Sequence, residues 1–225
     1  MLRVMACLLL LAAPTAAQDL KSLSNQEVGK GLREALVQGV GQAIGSLSAA
    51  DGFLGNPEVK IPLPPALEKV ERTLRRFGMN RQADELITTM NRAAESAVGE
   101  AKPILLEGIR KMTLVDAKDI LTGPEDSATR YFRKTSGDAI VKKFLPKVKA
   151  ATARVKLAED YNRFAGPAAE LGLLDAKDAD LDLYITHKAV DGLFLMIARQ
   201  EKAIRADPVG QSSKLLQKVF GALKF

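Results

Sequence analysis

His187 is the only histidine among 225 residues, so any imidazole chemistry in this chain has one place to occur. Tyr184 and Asp191 fall about one helical turn to either side of it, and Asp180 one turn further back, which puts all four on one stripe of a helix. An imidazole oriented by a carboxylate is the geometry of a general base or of a metal ligand. Asp180, Tyr184, His187 and Asp191 are therefore the candidate catalytic residues of a hydrolase-like enzyme. No spacing supplies a nucleophilic serine or a second ligand, and one histidine with carboxylates is not a metal-binding signature. No metal site and no cofactor is expected, and the weight of these observations is against an enzyme. The competing expectation is a polar seam whose groups pair with Arg or Lys from neighbouring helices.

Two further clusters could hold an anion. Asn91-Arg92 with Glu95, and Asn162-Arg163 with Asp160 and Tyr161, set amide and guanidinium groups side by side in helical segments. Such groups bind carboxylates and phosphates, and equally make interhelical hydrogen bonds. From Arg130 to Lys156 stand nine Lys or Arg against one acid, Asp138. Lys142, Lys143, Lys147 and Lys149 form the centre of this basic face, whose expected partner is an anionic envelope component. Aromatic residues do not interleave with it as single-strand recognition requires, so no nucleic acid is expected. Glu125 and Asp126 are adjacent and point apart on a helix, which suits helix-end electrostatics better than acid-base work.

The elements that position these residues read as helices throughout. Ser24-Asn-Gln-Glu27 is a capping box, followed by Val28, Leu32, Leu36, Val40 and Ile44 at steps of four. Glycines at 29, 31, 39, 41 and 45 in that helix imply close packing against it. Pro64-Pro65 opens a second helix with Leu67, Val70, Leu74 and Phe77 as its buried stripe, closed by Gly78. Asn80 starts a third, carrying Ala83, Leu86, Ile87, Met90, Ala94 and Ala97. Lys102 to Met112 is a fourth, and Thr113 to Asp116 caps a short fifth that ends near Thr122-Gly123. Pro124-Glu-Asp126 begins a helix with acids in its first turn, broken at Ser136-Gly137. The basic helix follows, with Ile140, Phe144, Val148, Ala151 and Val155 on one face and a kink at Pro146. It continues to Phe164, before Gly166-Pro167. Asp180 to Ala206 is apolar on opposite faces, so a central buried helix is expected. Residues 213–223 add a short cationic amphipathic helix that docks on the protein or touches a membrane surface. "NRAA…DAKD" and "NRFA…DAKD" do not form a repeat, because their spacings differ and the intervening apolar patterns do not align.

Between the first two helices lies "DGFLGNPEVKIPLPPAL", whose prolines exclude a helix or a central strand. Val59, Ile61 and Leu63 alternate with Glu58, Lys60 and Pro62, and Phe53 and Leu54 add apolar bulk. The pattern predicts an extended strap lying in a groove between helices, near which a small-molecule ligand would bind. Phe53, Leu54 and Ile61 are its binding candidates, with Asn91, Arg92, Tyr131, Arg133, Asn162 and Arg163.

Arg3, the apolar run Val4 to Ala13 and the small residues Thr15-Ala16-Ala17 read as a secretory signal peptide cut after Ala17. Cleavage would remove Cys7, the only cysteine, and leave a formal charge of 32 − 27 = +5. The expected mature chain, 18–225, is one all-helical domain, with 122–136 as the meeting place if it divides into two packed subdomains. No later run is long enough to span a bilayer, so a soluble periplasmic protein is expected. Nothing in the sequence indicates the oligomeric state.

Ala50-Asp51-Gly52-Phe53-Leu54, Asn56-Pro57-x-Val59-Lys60-Ile61-Pro62-Leu63-Pro64, Met90-Asn91-Arg92-Ala93-Ala94-Glu95, Ala128-Thr129-x-Tyr131-Phe132-Arg133 and Asp191-Gly192-Leu193-Phe194 together carry a resemblance. On them the chain resembles the bacterial family catalogued as domain of unknown function 4197, over essentially its whole mature length. The resemblance implies an exported, helical protein of Gram-negative bacteria with no assigned catalytic residues. It also implies that glutamine is common where His187 stands, and an acid or glycine where Pro124 stands. The whole reading is an all-α, irregular multi-helix bundle with a central apolar helix and an extended Pro-rich strap.

Overall fold

The computed structural model describes residues 25–78, 80–171 and 179–207, with side chains throughout except at 25, 69, 70, 73, 74, 82 and 164–169. The signal-like segment and the 213–223 amphipathic stretch lie outside the described residues, as does Ser24 of the first capping box. Eight helices follow in order among the described residues: α1 (Asn25–Ser48), α2 (Pro65–Arg76), α3 (Asn80–Val98), α4 (Ala101–Lys111), α5 (Leu114–Thr122), α6 (Ser127–Thr152), α7 (Lys156–Glu170) and α8 (Leu181–Ala206).

The period-four stripe of α1 is its buried face, with Leu32, Ala35, Leu36, Val40, Ala43, Ile44 and Leu47 all inside. Tight packing explains part of its glycine content. A Cβ on Gly39 would lie 3.4 Å from Gln200 and Ile204 of α8, whereas Gly41 and Gly45 face open space. α8 is buried on several sides in its first half, through Leu181, Ile185, Ala189, Val190, Leu193 and Phe194, with Leu183 and Met196 half-buried. It packs against α6, α1 and α3, and the apolar faces of these helices join in one continuous core. α5 carries the expected cap. The Thr113 hydroxyl accepts from the Asp116 amide at 3.1 Å, and the Asp116 carboxylate accepts from the Thr113 amide at 2.9 Å.

Several helix boundaries differ from the sequence expectation. Ser136-Gly137 does not break a helix, because α6 runs unbroken from Ser127 through Gly137 and the exposed Pro146 to Thr152. Ser136 is buried where α4 comes close, so a Cβ on Gly108 would stand 3.3 Å from its hydroxyl. Packing between α4 and α6 at this point outweighs a glycine cost of about 1 kcal/mol. The basic helix also stops at Thr152 and does not continue to Phe164. The chain turns at Ala153–Val155, with the Val155 amide donating to Thr152, and α7 then passes through Gly166-Pro167 to Glu170. The acids at 125 and 126 precede α6 instead of occupying its first turn, and Asp126 makes no side-chain cap bond. The apolar spacing puts Phe77 in the buried stripe of α2, but the helix ends at Arg76 and the ring is 75% exposed. Val70 and Leu74 of that stripe are among the side chains not described.

Candidate functional site

The strap is extended only over 60–64. Before that, 51–55 and 57–59 form successive turns, with the Gly55 amide donating to Asp51 and the Val59 and Lys60 amides to Asn56, so the expected extended course fails there while the alternation in burial holds. Val59, Ile61 and Leu63 are buried, while Glu58, Lys60 and Pro62 face outward. It leaves α1 through Asp51, whose positive φ of 64° an aspartate tolerates, and Gly52, where a Cβ would lie 2.5 Å from the carbonyl oxygens of Ser46 and Leu47. α3 then grips it from below. Asn91 Oδ1 accepts from the Ile61 amide at 2.8 Å, and Asn91 Nδ2 donates to the Ile61 carbonyl at 3.0 Å, copying a strand partner with one side chain. One turn on, Glu95 Oε1 accepts from the amides of Phe53 and Leu54, each at 3.1 Å. Arg92 bridges Glu95 at 2.6 Å and Asp51 at 2.7 Å, and these two partners, Glu95 first, raise its pKa above the ordinary arginine value.

α8 supports the strap from the side. Tyr184 Oη donates to the Pro62 carbonyl at 3.1 Å. A Cβ on Gly192 would stand 2.8 Å from the Phe53 ring and 3.2 Å from Val59 Cβ, so only glycine lets strap and helix meet at this distance.

On the outer side of the strap lie two adjoining cavities. One, of 540 Å³, is bounded by Glu58 to Pro62, by Asp126, Thr129, Arg130 and Arg133 near the start of α6, and by Lys188, Asp191, Gly192, Phe194, Leu195 and Ala198 of α8. The other, of 680 Å³, runs on past Leu63, Pro65 and Glu68 to Tyr184 and His187. They share Pro62, Lys188 and Asp191, and so form one groove. Arg133 pairs with Asp191 at 2.7 Å, and its guanidinium lies 4.7 Å from the centre of the Phe194 ring. Asp126 pairs with Arg130 at 2.8 Å, and Glu58 with Arg199. Lys188 Nζ sits 5.6 Å from the centre of the Tyr184 ring.

The sequence candidates divide between this groove and the scaffold. Ile61, Arg133, Tyr184, His187 and Asp191 line the groove. Asp180 does not, and caps α8 instead by accepting from the amides of Asp182 and Leu183. Phe53 is fully buried beneath Gly192, and Leu54 is half-buried. Asn91 is spent on the strap. Asn162 serves the start of α8, with Oδ1 accepting from the Leu181 amide at 2.8 Å and Nδ2 donating to Asp182 at 3.3 Å. Arg163 pairs with Glu159 and Asp160 on its own helix. Tyr131 stacks edge-on to Phe132, and burial, then nearby Asp116, raise its phenol pKa. Lys142, Lys143, Lys147 and Lys149 are exposed on α6 away from the groove, with Lys147 paired to Glu100 at 3.2 Å.

Sequence reasoning missed Lys60, Lys188 and Leu195 of the groove. The strap alternation that buries Ile61 also turns Lys60 outward, which was a usable signal. It missed Glu201 too. This α8 carboxylate accepts from the amides of Ala128 and Thr129 at 3.0 Å and from the Thr129 hydroxyl at 2.9 Å, capping α6 from another helix. Arg205 pairs with Glu201 at 3.0 Å and donates to the Ile120 carbonyl at the end of α5.

Among the described residues no group of three His, Cys, Asp or Glu side chains is placed to hold a metal ion, and no helix is long and apolar enough to cross a membrane. A family model described as protein of unknown function (DUF4197) matches residues 22–221. No curated protein and no solved structure matches the chain.

Proposed function

Because the chain belongs to the DUF4197 family, whose description names no activity, we propose its role from the groove: an exported helical binding protein that holds a small ligand along the outer side of the 51–65 strap. The observation that carries this reading is the continuity of the two cavities, which meet at Pro62, Lys188 and Asp191 and have volumes of 540 and 680 Å³. Both are within the roughly 300–1,000 Å³ of ligand sites. Asn91 and Glu95 hold one wall from beneath, so the groove exists before a ligand arrives and little ordering entropy opposes binding.

Catalysis by the Asp180, Tyr184, His187 and Asp191 stripe has less support. Asp180 is engaged with backbone amides, Tyr184 with Pro62 and Asp191 with Arg133, and among the described residues no carboxylate is bonded to the imidazole. The signal-like 1–17 segment supports export to the periplasm. The exposed lysines of α6 and the cationic 213–225 stretch support peripheral contact with an anionic envelope component.

Native mass spectrometry of the protein from the periplasmic fraction tests the reading, with Ala198→Trp placed to fill the groove. The expected result is an N-terminus at Gln18 and a retained small mass that the variant loses while keeping its helical circular dichroism. A folded variant retaining the same mass would rule out the groove as the binding site.

A further inference from the structure

We infer that this groove selects an amphipathic anion, its acidic head between Lys60 and Lys188 and its apolar part on Leu195 and Pro62. The inference rests on the groove being a binding site and adds the class of ligand. Most charges around the 540 Å³ cavity are already neutralised within the protein: Glu58 by Arg199, Asp126 by Arg130, and Arg133 by Asp191. Lys60 and Lys188 line the same cavity, and among the described residues neither ammonium has a carboxylate partner. Lys188 lies over the face of Tyr184, and the nearby Asp191 is paired with Arg133.

A neutral occupant would displace water from two ammonium groups and return no charge to them, and a cationic occupant would add repulsion. The strap backbone has no donor to spare for the head: the amides of Glu58, Val59, Lys60 and Ile61 already donate to Asn56 or Asn91, and Pro62 has no amide hydrogen. Recognition of the head therefore falls to the two ammonium groups. The apolar half of the requirement comes from Leu195, which stays 41% exposed on the groove wall while the neighbouring Phe194 is buried.

Isothermal titration calorimetry with octanoate, octyl phosphate, 1-octanol and octylammonium at low ionic strength separates head charge from tail. An acidic member of the series should bind at least about tenfold more tightly than the alcohol or the amine, and the advantage should shrink as salt is added. The ratio of octanoate to octyl phosphate identifies which acidic head the site prefers. Lys60→Glu combined with Lys188→Glu should remove about tenfold of that affinity, whereas Lys142→Glu with Lys149→Glu on the far side of α6 should not. Equal binding of alcohol, amine and acid would overturn the inference while leaving the groove as a ligand site. Binding of none of the series, together with a retained mass that Ala198→Trp does not displace, would remove both. A dimer in analytical ultracentrifugation that the Lys60/Lys188 variant dissolves would assign the groove to a second copy of the chain and overturn the inference as well.

Discussion

Replacing Asn91 with alanine should loosen the strap without unfolding the bundle. The asparagine is fully buried, and it alone satisfies both backbone groups of Ile61, itself only 1% exposed, at 2.8 and 3.0 Å. Its third bond, to the Ile87 carbonyl at 2.8 Å, is dispensable because that oxygen already accepts within α3. Alanine therefore orphans one buried N–H and one buried C=O, at about 1–3 kcal/mol each. The Glu95 bonds to Phe53 and Leu54 and the burial of Val59 and Leu63 remain, so part of the loss should be relieved by local movement. The expected cost is about 2–4 kcal/mol, or roughly 4–16 °C in melting temperature for a chain of this size. Urea unfolding gives the first quantity, and native-state hydrogen exchange at the Ile61 amide gives the mechanism. Asn91→Asp keeps the acceptor but turns an oxygen toward two carbonyls, so it should cost at least as much. A destabilisation below about 0.5 kcal/mol with unchanged Ile61 protection would refute the role assigned to this side chain.

Gly192→Ala should destabilise by about 1–3 kcal/mol, because the new methyl must displace the Phe53 ring or the strap backbone beside Val59; a neutral result in thermal unfolding would mean that the strap shifts freely. Glu201→Ala removes the carboxylate that pairs with buried Arg205 and leaves the Ala128 and Thr129 amides uncapped, so a loss of about 2–4 kcal/mol is expected in urea titration, and less than about 1 kcal/mol would contradict it. The Thr113 hydroxyl first, and its amide second, hold the Asp116 carboxyl below the usual aspartate range. A depressed folded pKa means that the cap's contribution is complete above the unfolded value, about 4, and is lost as pH falls through the folded one. Amide protection at the start of α5 should therefore decline in acid below about pH 4, and Asp116→Asn should show no such decline. Identical pH profiles for the two proteins would exclude this carboxyl as the cause.

Where neighbours along the chain decide the outcome, the sequence was sufficient. The helical spacing in α1 and α3 and the two-residue alternation of Val59, Ile61 and Leu63 encode which side is buried, and the Thr113–Asp116 capping box encodes where α5 starts. The all-α class and the buried side of the strap were legible for this reason, whereas its turns over 51–59 were not. Tertiary structure decided what lies between elements. α6 continues through Gly137 and Pro146 because packing on α8, α3 and α4 outweighs local propensity. Its N-terminus is satisfied by Glu201, more than seventy positions away, and not by the acids beside it. The groove was only half visible: His187, Tyr184 and Asp191 share a helix stripe, but Lys60 reaches the same cavity only because the strap folds back across α8. A helix face can be read from one segment, whereas a charge left without a partner appears only once every neighbouring segment is in place.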